Sequence, residues 1–374
     1  MTKASSGRTP ARYAPAGGTT APGTRALRLG SRRSPMAMAQ SGDVARLITE
    51  RTGRPVEIVG MTSLGDVSSE HLTQIGGTGV FVSSLRESML RGEVDFAVHS
   101  LKDLPTASPA GIILAAIPER DDPRDALVGR DGAKLADLPA GARIGTGSPR
   151  RAAQVSLLRA DVTCVPIRGN ANTRLAKVRN GELDAVVLAY AGLARIGFTA
   201  LVTEIFGPED MVPAPGQGAL AVECQTGDRG LIELLAAVDH PATRAAVSAE
   251  RTLLAALEAG CSAPVGAFAS QPAGTGRLLL DGVVLGIPHP ARGVPSTMAT
   301  LGGMGAVPPR GLDVSPSSEM IVVREHGEAD AAAPEWLGRD LAARMLARGA
   351  ARLLGVPGFA VASGATTNRD DAHD

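Results

Sequence analysis

Residues 94–105 read VDFAVHSLKDLP and decide the fold class of this chain. Val94–Val98 is a short apolar run typical of a buried strand, and a polar turn with Lys102 and Asp103 follows it directly. In α/β sheets, ligands bind beyond the carboxyl ends of the strands. The stretch therefore favours an α/β sheet whose binding edge carries an ammonium for an anion and a carboxylate for a cation. A solvated ion pair in a surface turn would have the same sequence, so both interpretations stay open at this point.

Short β-rich runs alternate with helical patterns on both sides of this stretch. A strand pattern at Ala26–Leu29 is followed by Ser34-Pro35, which predicts a helix start because Ser caps and Pro fits the first turn. The same order recurs at Ala142–Gly145 and Ser148-Pro149. We therefore predict two similar α/β lobes with a boundary near Arg120–Arg124.

A third unit begins near Pro241, with a helical pattern at Ala242–Glu258, several strand patterns and a final helix over about Glu335–Leu354. The predicted division is a disordered extension (1–25), lobe 1 (26–119 with 219–238), lobe 2 (120–212), a hinge (213–218), a third domain (240–365) with a long Pro/Gly-rich loop (286–317), and a disordered tail (366–374).

Composition excludes several classes of protein. The 374 residues are 44% hydrophobic and have a formal net charge of zero, which argues against a nucleic-acid binder. Only 2% are aromatic, so a base-stacking platform is not expected either. The six histidines form no metal-binding pattern, and no apolar run approaches the length of a membrane span. We expect a globular protein with no metal and no membrane partner.

Arginines gather at predicted helix starts. Arg32 precedes one, Arg150 and Arg151 occupy the first turn of another, and Arg168 and Arg174 flank a third. Cations in a first turn oppose the helix dipole, whereas guanidinium groups grip carboxylates bidentately. The placement predicts solvent-facing anion sockets in both lobes; chance placement in an Arg-rich chain is the alternative.

The three cysteines differ in their surroundings. Cys164 and Cys224 lie inside apolar strand patterns and are predicted to be inert, whereas Cys261 lies in a Gly/Ser/Pro loop after a helix, where a thiol can react. An odd, sparse set without a C-x-x-C spacing indicates a reducing compartment.

Nine strings in order carry a resemblance that runs from about Leu27 to the C-terminus: LGSRRSPMAMAQ, GGTGVFV, DFAVHSLKDLP, DDPRDA, GTGSPRR, RGNANTRL, AYAGLARIG, PAPGQGA and LEAGCSAPVG. Together they resemble the porphobilinogen deaminase (hydroxymethylbilane synthase) family. The resemblance implies two periplasmic-binding-protein-like lobes with the active site between them, and a smaller α+β C-terminal domain. It also implies a transferase that condenses four porphobilinogen units on a covalent dipyrromethane primer and then releases hydroxymethylbilane by hydrolysis.

The resemblance also implies the site residues. Asp103 and Lys102 are implied as the catalytic residues, with Asp103 as the acid, and Cys261 as the covalent attachment of dipyrromethane. The other implied cofactor ligands are Arg32, Ser34, Lys102, Thr146, Ser148, Arg150, Arg151, Arg168 and Gly169. The implied substrate ligands are Arg32, Arg168, Arg174, Arg195, Phe81 and Gln217.

The chain departs from the family pattern in places. Gln74 and Thr78 stand where many relatives carry lysine, and the loop 286–317 is longer than usual. The family implies a cytoplasmic monomer. Two other classes remain as alternatives: an organic-anion solute-binding protein, which would need neither Cys261 nor a third domain, and a nucleotide-dependent oxidoreductase, whose glycine fingerprint the chain lacks.

Overall fold

The computed structural model describes residues 25–61, 79–259, 263–286 and 320–354. Cys261, Gln74, Thr78, residues 1–24 and 366–374, and the predicted loop beyond Gly286 lie outside the described residues. For Phe81 only the helical backbone is described.

Strands and helices alternate through the first two thirds of the described chain. The strands are β1 (Leu27–Arg32), β2 (Val56–Met61), β3 (Phe96–Ser100), β4 (Ile112–Ala116), β5 (Asp125–Gly129), β6 (Arg143–Gly145), β7 (Thr163–Val165), β8 (Ala185–Ala189), β9 (Glu204–Ile205), β10 (Leu220–Gln225), β11 (Val265–Ser270), β12 (Arg277–Gly286) and β13 (Ile321–Asp330). The helices are α1 (Pro35–Thr52), α2 (Gly79–Leu90), α3 (Pro149–Leu158), α4 (Ala171–Arg179), α5 (Tyr190–Arg195), α6 (Arg229–Ala236), α7 (Pro241–Ala256), α8 (Pro334–Ala347) and α9 (Ala350–Leu354).

Lobe 1 is built on a five-stranded sheet in the order β2-β1-β3-β10-β4. The first three strands are parallel, and β10 runs antiparallel to both β3 and β4. Its core packs the fully buried side chains of Leu29, Ile48, Phe96 and Val222 between the sheet and its helices. The carboxyl ends of β1 and β3 therefore lie together at one edge of this sheet.

Lobe 2 repeats the arrangement in the order β7-β6-β8-β5-β9. Again three strands are parallel, and an antiparallel strand, here β5, follows beside β8. β5 is the strand by which the chain enters lobe 2, just as β10 is the strand by which it returns to lobe 1. The two sheets confirm the predicted pair of similar α/β lobes.

The third unit is a three-stranded antiparallel sheet, β11-β12-β13, covered by α7 and α8. It confirms the expected small α+β C-terminal domain. The predicted continuous helix at Glu335–Leu354 is wrong in one respect: it is divided into α8 and α9. Gly349 between them has a φ of 96°, which an α-helix cannot accommodate.

Helix starts follow the local signals. The Ser34 hydroxyl accepts a hydrogen bond from the backbone N–H of Ala37, and Ser148 accepts one from the backbone N–H of Arg151. In both helices Pro occupies the first turn. These two caps place the first turns of α1 and α3 at the carboxyl ends of β1 and β6, on the sheet edges where ligands bind.

Candidate functional site

A cavity of about 820 Å³ lies between the two lobes. Lobe 1 contributes Arg32, Ser34, Gln40, His99, Lys102 and Asp103, and lobe 2 contributes Arg151, Gly169, Asn170, Arg174 and Arg195. Five Arg and Lys side chains and one carboxylate thus line the described wall. A more open depression of about 620 Å³ on the third domain, lined by Asp281, Glu328 and Arg344 among others, contains none of the predicted site residues.

The Lys-Asp pair lies in a short 3₁₀ turn, Leu101–Asp103, directly after β3. Leu101 is fully buried and its backbone N–H donates to the carbonyl of Ala219 at 3.0 Å, which fixes the turn to the end of the sheet. Lys102 is half-buried and Asp103 is exposed, and both line the cavity. The turn therefore presents the ammonium and the carboxylate to the same space, as the sequence predicted.

The ammonium group of Lys102 loses its proton more readily than that of an exposed lysine. Burial, and next the nearby Arg151, lower its pKa to about 8 although Asp103 and Asp125 oppose the shift. Its Nζ donates to Oε1 of Gln217 at 3.3 Å. An anion in the cavity would offset the repulsion and favour the charged form of this lysine.

Gln217 lies behind the cavity wall and is fully buried. Its Oε1 also accepts from Arg151 at 3.2 Å, while its Nε2 donates to the carbonyl of Pro123 at 2.7 Å and to Oδ1 of Asp125 at 2.8 Å. Gln217 is not among the cavity-lining residues. This placement fits a support for Lys102 and Arg151 and does not fit the expected direct substrate ligand.

Arg150 and Arg151 are buried, with 3% and 6% of their surface exposed, so the solvent-facing placement predicted for these two residues is wrong. Both pair with Asp125, Arg150 at 2.8 Å and Arg151 at 2.7 Å. These two guanidinium groups hold the pKa of Asp125 far below its usual value, even though burial alone would raise it. Only Arg151 lines the cavity; Arg150 also donates to the carbonyl of Val212 at 2.6 Å.

Thr146 and Ser148 shape the start of α3. The Thr146 hydroxyl accepts from the backbone N–H of Ser148 at 3.2 Å, and Ser148 in turn caps α3. Neither is among the cavity-lining residues. In this structure, both side chains hold the helix start that carries Arg151.

The loop before α4 brings a glycine and an arginine into the wall. Gly169 has a φ of 105°, and a Cβ there would lie 3.0 Å from Thr173, so the position suits glycine alone. Nε of Arg174 donates to the Gly169 carbonyl at 2.9 Å. Burial, and then the charge of Arg151, lower the pKa of Arg174, as expected for a cation facing another cation. Arg168 is exposed and is not among the cavity-lining residues.

Arg195 lines the cavity and contacts both segments where the chain crosses between the lobes. Its Nη2 donates to the carbonyl of Gly218 at 2.8 Å, and it forms an ion pair with Asp121. Its Nε is buried and has no hydrogen-bond partner in the described part of the chain. That nitrogen is a donor suited to an anionic oxygen.

Two groups near the cavity were not singled out from the sequence. Asp125 is fully buried, and its place between two arginines depends on contacts across the sequence that no local pattern shows. His99 lines the cavity, and its Nε2 lies 3.4 Å from Glu223, which Arg86 binds through two hydrogen bonds. Burial opposes ionisation of Glu223, yet the adjacent His99 and the two hydrogen bonds from Arg86 lower its pKa to about 2.

The cysteine predictions hold where they can be checked. Cys224 is fully buried and Cys164 is half-buried, and burial raises the pKa of both thiols to about 11. Both are therefore poor nucleophiles.

Within residues 25–61, 79–259, 263–286 and 320–354, no group of three or more His, Cys, Asp or Glu side chains is arranged to hold a metal ion. Over the same described ranges, the helices are too short or too polar to cross a membrane.

Among the described residues, the cavity lining combines five Arg and Lys side chains with one exposed carboxylate, that of Asp103. The arginines suit a ligand with many carboxylate groups, since guanidinium forks bind such groups bidentately. The carboxylate of Asp103 suits positive charge that develops inside that ligand. The arrangement fits a polyanion that reacts through a cationic centre.

Comparison with known proteins gives one consistent family. Residues 27–233 match the model described as porphobilinogen deaminase, dipyromethane cofactor binding domain, and residues 244–288 match the porphobilinogen deaminase C-terminal domain. Porphobilinogen deaminase 1 of Streptomyces coelicolor is 55% identical over 88% of this chain and 98% of its own length. Porphobilinogen deaminase of Thermobifida fusca is 66% identical over 66% of this chain and 77% of its own length.

A search of solved structures finds likeness to a periplasmic substrate-binding protein of an ABC transporter from Coxiella burnetii, with a TM-score of 0.36 and 15% identity over 60% of this chain and 96% of that one. The periplasmic VFT2 domain of BvgS from Bordetella pertussis gives a TM-score of 0.36 and 17% identity over 57% of this chain and 86% of that one.

Proposed function

The chain belongs to the porphobilinogen deaminase family, and from that premise we propose that it condenses porphobilinogen units in the cavity between its lobes, with Asp103 as the catalytic acid. The observation that carries this proposal is the cavity lining, in which five Arg and Lys side chains share one cavity with the exposed carboxylate of Asp103. The enzyme is a transferase that uses a dipyrromethane cofactor.

The residues present fit that cofactor. Each pyrrole unit carries an acetate and a propionate, so the cofactor and the growing product are both polycarboxylates. One cavity is lined by Arg32, Lys102, Arg151, Arg174 and Arg195, and the buried Nε of Arg195 has no hydrogen-bond partner among the described residues. We assign cofactor carboxylates to Arg32, Lys102 and Arg151, with Ser34 and Gly169 beside them, and covalent attachment to Cys261. When bound, the dipyrromethane supplies the free α-carbon to which the first substrate unit is joined.

We assign the substrate carboxylates to Arg32, Arg174 and Arg195. Arg174 and Arg151 line the same cavity, and burial, followed by the nearby charge of Arg151, lowers the pKa of Arg174. A carboxylate between them removes the repulsion between their charges. We keep Arg168 as a further substrate ligand, because it precedes Gly169 on the exposed loop at the cavity rim, and Phe81 on the resemblance alone.

Asp103 performs the central step. Ammonia leaves the aminomethyl carbon of porphobilinogen, and positive charge develops on the substrate as the C–N bond breaks. The exposed Asp103 carboxylate on the cavity wall stabilises that charge and exchanges a proton with the pyrrole nitrogen. Lys102, half-buried on the same turn, holds a carboxylate of the ligand and so orients it toward Asp103.

Four further residues support this site without lining the cavity: Gln217, Arg150, Thr146 and Ser148. Gln217 fixes Lys102 and Arg151, Arg150 shares Asp125 with Arg151, and the two hydroxyl residues hold the start of α3. We therefore propose positioning roles for these four residues in place of direct ligand contacts.

The domain division follows the same proposal. The pairing of β10 with β3 and β4 supports lobe 1 as residues 26–119 with 219–238, and the β5–β9 sheet supports lobe 2 as 120–212. Both walls of the cavity come from one chain, which supports activity as a monomer. We propose a cytoplasmic location, consistent with Cys164 and Cys224, neither of which is in a disulfide.

The test uses the purified full-length chain. Its intact mass should exceed the sequence mass by one dipyrromethane, and incubation with porphobilinogen should add pyrrole units stepwise and release hydroxymethylbilane. A chain that carries the extra mass yet leaves porphobilinogen unconsumed would refute the proposed activity.

A further inference from the structure

We infer that Arg251, a residue of the third domain, is a positioning residue for the turn that carries Lys102 and Asp103. This inference rests on the proposed function of that turn. The residue lies on α7 and is not among the cavity-lining residues.

The guanidinium group of Arg251 spans the backbone of the turn. Nη1 donates to the carbonyls of Leu101 at 3.3 Å and Leu104 at 3.1 Å. Nη2 donates to the carbonyls of Pro105 at 2.7 Å and Thr106 at 3.3 Å. One planar cation thus holds four carbonyl groups on both sides of Asp103.

Three of these four carbonyls, those of Leu104, Pro105 and Thr106, lie beyond the 3₁₀ turn, whereas that of Leu101 also accepts from the backbone N–H of Leu104 at 3.1 Å inside it. Carbonyl groups at the carboxyl end of a helical turn have no partner within the turn, and a cation there opposes the partial negative charge that gathers at that end. Bonds from an ionised donor are stronger than neutral ones. Arg251 therefore fixes the backbone from which the Asp103 side chain projects.

Apolar packing supports the same contact. Leu101 and Leu104 are buried in one cluster with Val247 of α7, which lies one helical turn before Arg251. Residues four apart share a helix face. The turn is therefore held by α7 through an apolar contact and a set of charged hydrogen bonds together.

The helix α7 is itself firmly fixed. Glu250, the residue before Arg251, is fully buried and accepts hydrogen bonds from the backbone N–H of Gly216 at 2.6 Å and of Ala269 at 2.8 Å. It also pairs with Arg120 at 2.7 Å. α7 is thereby tied to the crossing between the lobes and to the sheet of the third domain.

The same helix ends at Ala256, five residues before Cys261. Arg251 thus sets the catalytic carboxylate relative to the element that leads to the proposed attachment point of the cofactor. Small displacements of a reacting group reduce rates steeply, so a loosened turn lowers kcat more than it alters substrate affinity.

The experiment compares Arg251→Gln and Arg251→Lys with Arg244→Gln, all as primer-loaded protein. Arg244 lies on the same helix but binds Asp239 and the carbonyl of Ala115, away from the turn. Hydrogen exchange of the amides at residues 101–107 and single-turnover addition of porphobilinogen are measured for each. Loss of Arg251 should speed exchange in the turn and lower the rate roughly ten- to hundredfold, with KM within about twofold.

Arg251→Lys keeps the charge without the fork, so its rate and exchange should lie between those of the parent and Arg251→Gln. Arg244→Gln should leave both readouts of the turn unchanged. Equal exchange and equal rates in Arg251→Gln and Arg244→Gln would overturn the positioning role. If Arg251→Gln does not fold, Arg251→Lys alone decides, since an unchanged turn and rate there refute the inference. A parent enzyme that fails to consume porphobilinogen refutes the proposed function, whereas the exchange comparison still decides whether Arg251 holds the turn.

Discussion

Nζ of Lys102 in lobe 1 lies 3.3 Å from Oε1 of Gln217, on the segment where the chain returns from lobe 2. The same oxygen accepts from Arg151 of lobe 2 at 3.2 Å. Two cations from opposite lobes thus share one neutral acceptor beside the cavity. Burial, together with the repulsion between these two cations, lowers the pKa of Lys102. The same two positive charges attract an anion to this point.

Loading of the dipyrromethane cofactor should weaken as the pH rises through about 8. The pKa of Lys102, which we assign to a cofactor carboxylate, is lowered to about 8, chiefly by burial, so its charge is lost in the range where an exposed lysine keeps it. The rate at which cofactor-free protein gains the dipyrromethane mass on incubation with porphobilinogen, measured from pH 6.5 to 9.5, should fall above pH 8 in the parent. In Lys102→Met this rate should be roughly ten- to hundredfold lower at pH 7 and nearly flat with pH. A parent and a variant with parallel profiles would contradict this assignment.

Folding stability should change with pH in the opposite direction: it should increase as the pH rises. Because the folded-state pKa of Lys102 lies below the unfolded value of about 10.4, the unfolded chain binds more protons between these two values, and the lysine's unfavourable contribution lessens as pH rises through that window. Lys102→Met should therefore raise Tm at pH 7, and the gap should narrow toward pH 10. Calorimetry across this range checks it, and a lower Tm for the variant at pH 7 would show that the ammonium stabilises the fold.

Local signals predicted the elements because short-range chemistry decides them. Ser34-Pro35 and Ser148-Pro149 began helices as expected, since cap and first turn are neighbours in sequence. The strand ahead of Lys102 was equally clear, although it starts at Phe96, two residues later than predicted.

The environment of the arginines could not be predicted in the same way. Asp125, Arg151 and Gln217 meet only because the chain crosses twice between the lobes. Arg150 and Arg151 therefore looked like solvent-facing sockets when they are buried partners of one carboxylate. The contact of Arg251 with residues 101–106 has the same origin, since it joins parts of the chain about 150 positions apart.

Arg150→Leu should mainly destabilise the fold. Arg150 is 3% exposed and shares the fully buried Asp125 with Arg151, so its loss leaves that carboxylate short of a partner. Breaking such a buried pair typically costs about 3–5 kcal/mol.

Arg174→Leu should instead keep or raise Tm and weaken substrate binding, because its guanidinium lines the cavity and lies near another cation. Arg277→Leu, at an exposed ion pair of the third domain, is the control that should change neither. Denaturant unfolding and KM separate the three, and equal stability of Arg150→Leu and Arg277→Leu would contradict the buried-pair account.

Cys261→Ser should fold but remain without the dipyrromethane, because a hydroxyl is a far poorer nucleophile than a thiolate. Cys164→Ser is the matched control, since burial raises the pKa of that thiol to about 11 and leaves it unreactive. Intact mass should show the primer on the parent and on Cys164→Ser only. A primer mass on Cys261→Ser would move the attachment to another residue.

Asp103→Asn should lower the rate of chain elongation without lowering stability. Asp103 is exposed on the cavity wall, and its backbone is held by Leu101 and Leu104 on either side, so the nearly isosteric amide leaves packing intact. What is lost is the negative charge that faces the positive charge developing on the substrate. One preorganised electrostatic partner is typically worth about 3–4 kcal/mol, or roughly a hundred- to thousandfold in rate. Lys102 cannot replace it, because a cation beside a developing cation is repulsive.

Asp103→Glu keeps the charge and only shifts its position, so it should retain more activity than Asp103→Asn. Single-turnover addition of porphobilinogen to primer-loaded protein, with each intermediate resolved by mass, measures the effect apart from primer assembly. Elongation by Asp103→Asn within about tenfold of the parent, well short of the loss expected for such a partner, would make Asp103 a binding residue and place the catalytic acid elsewhere.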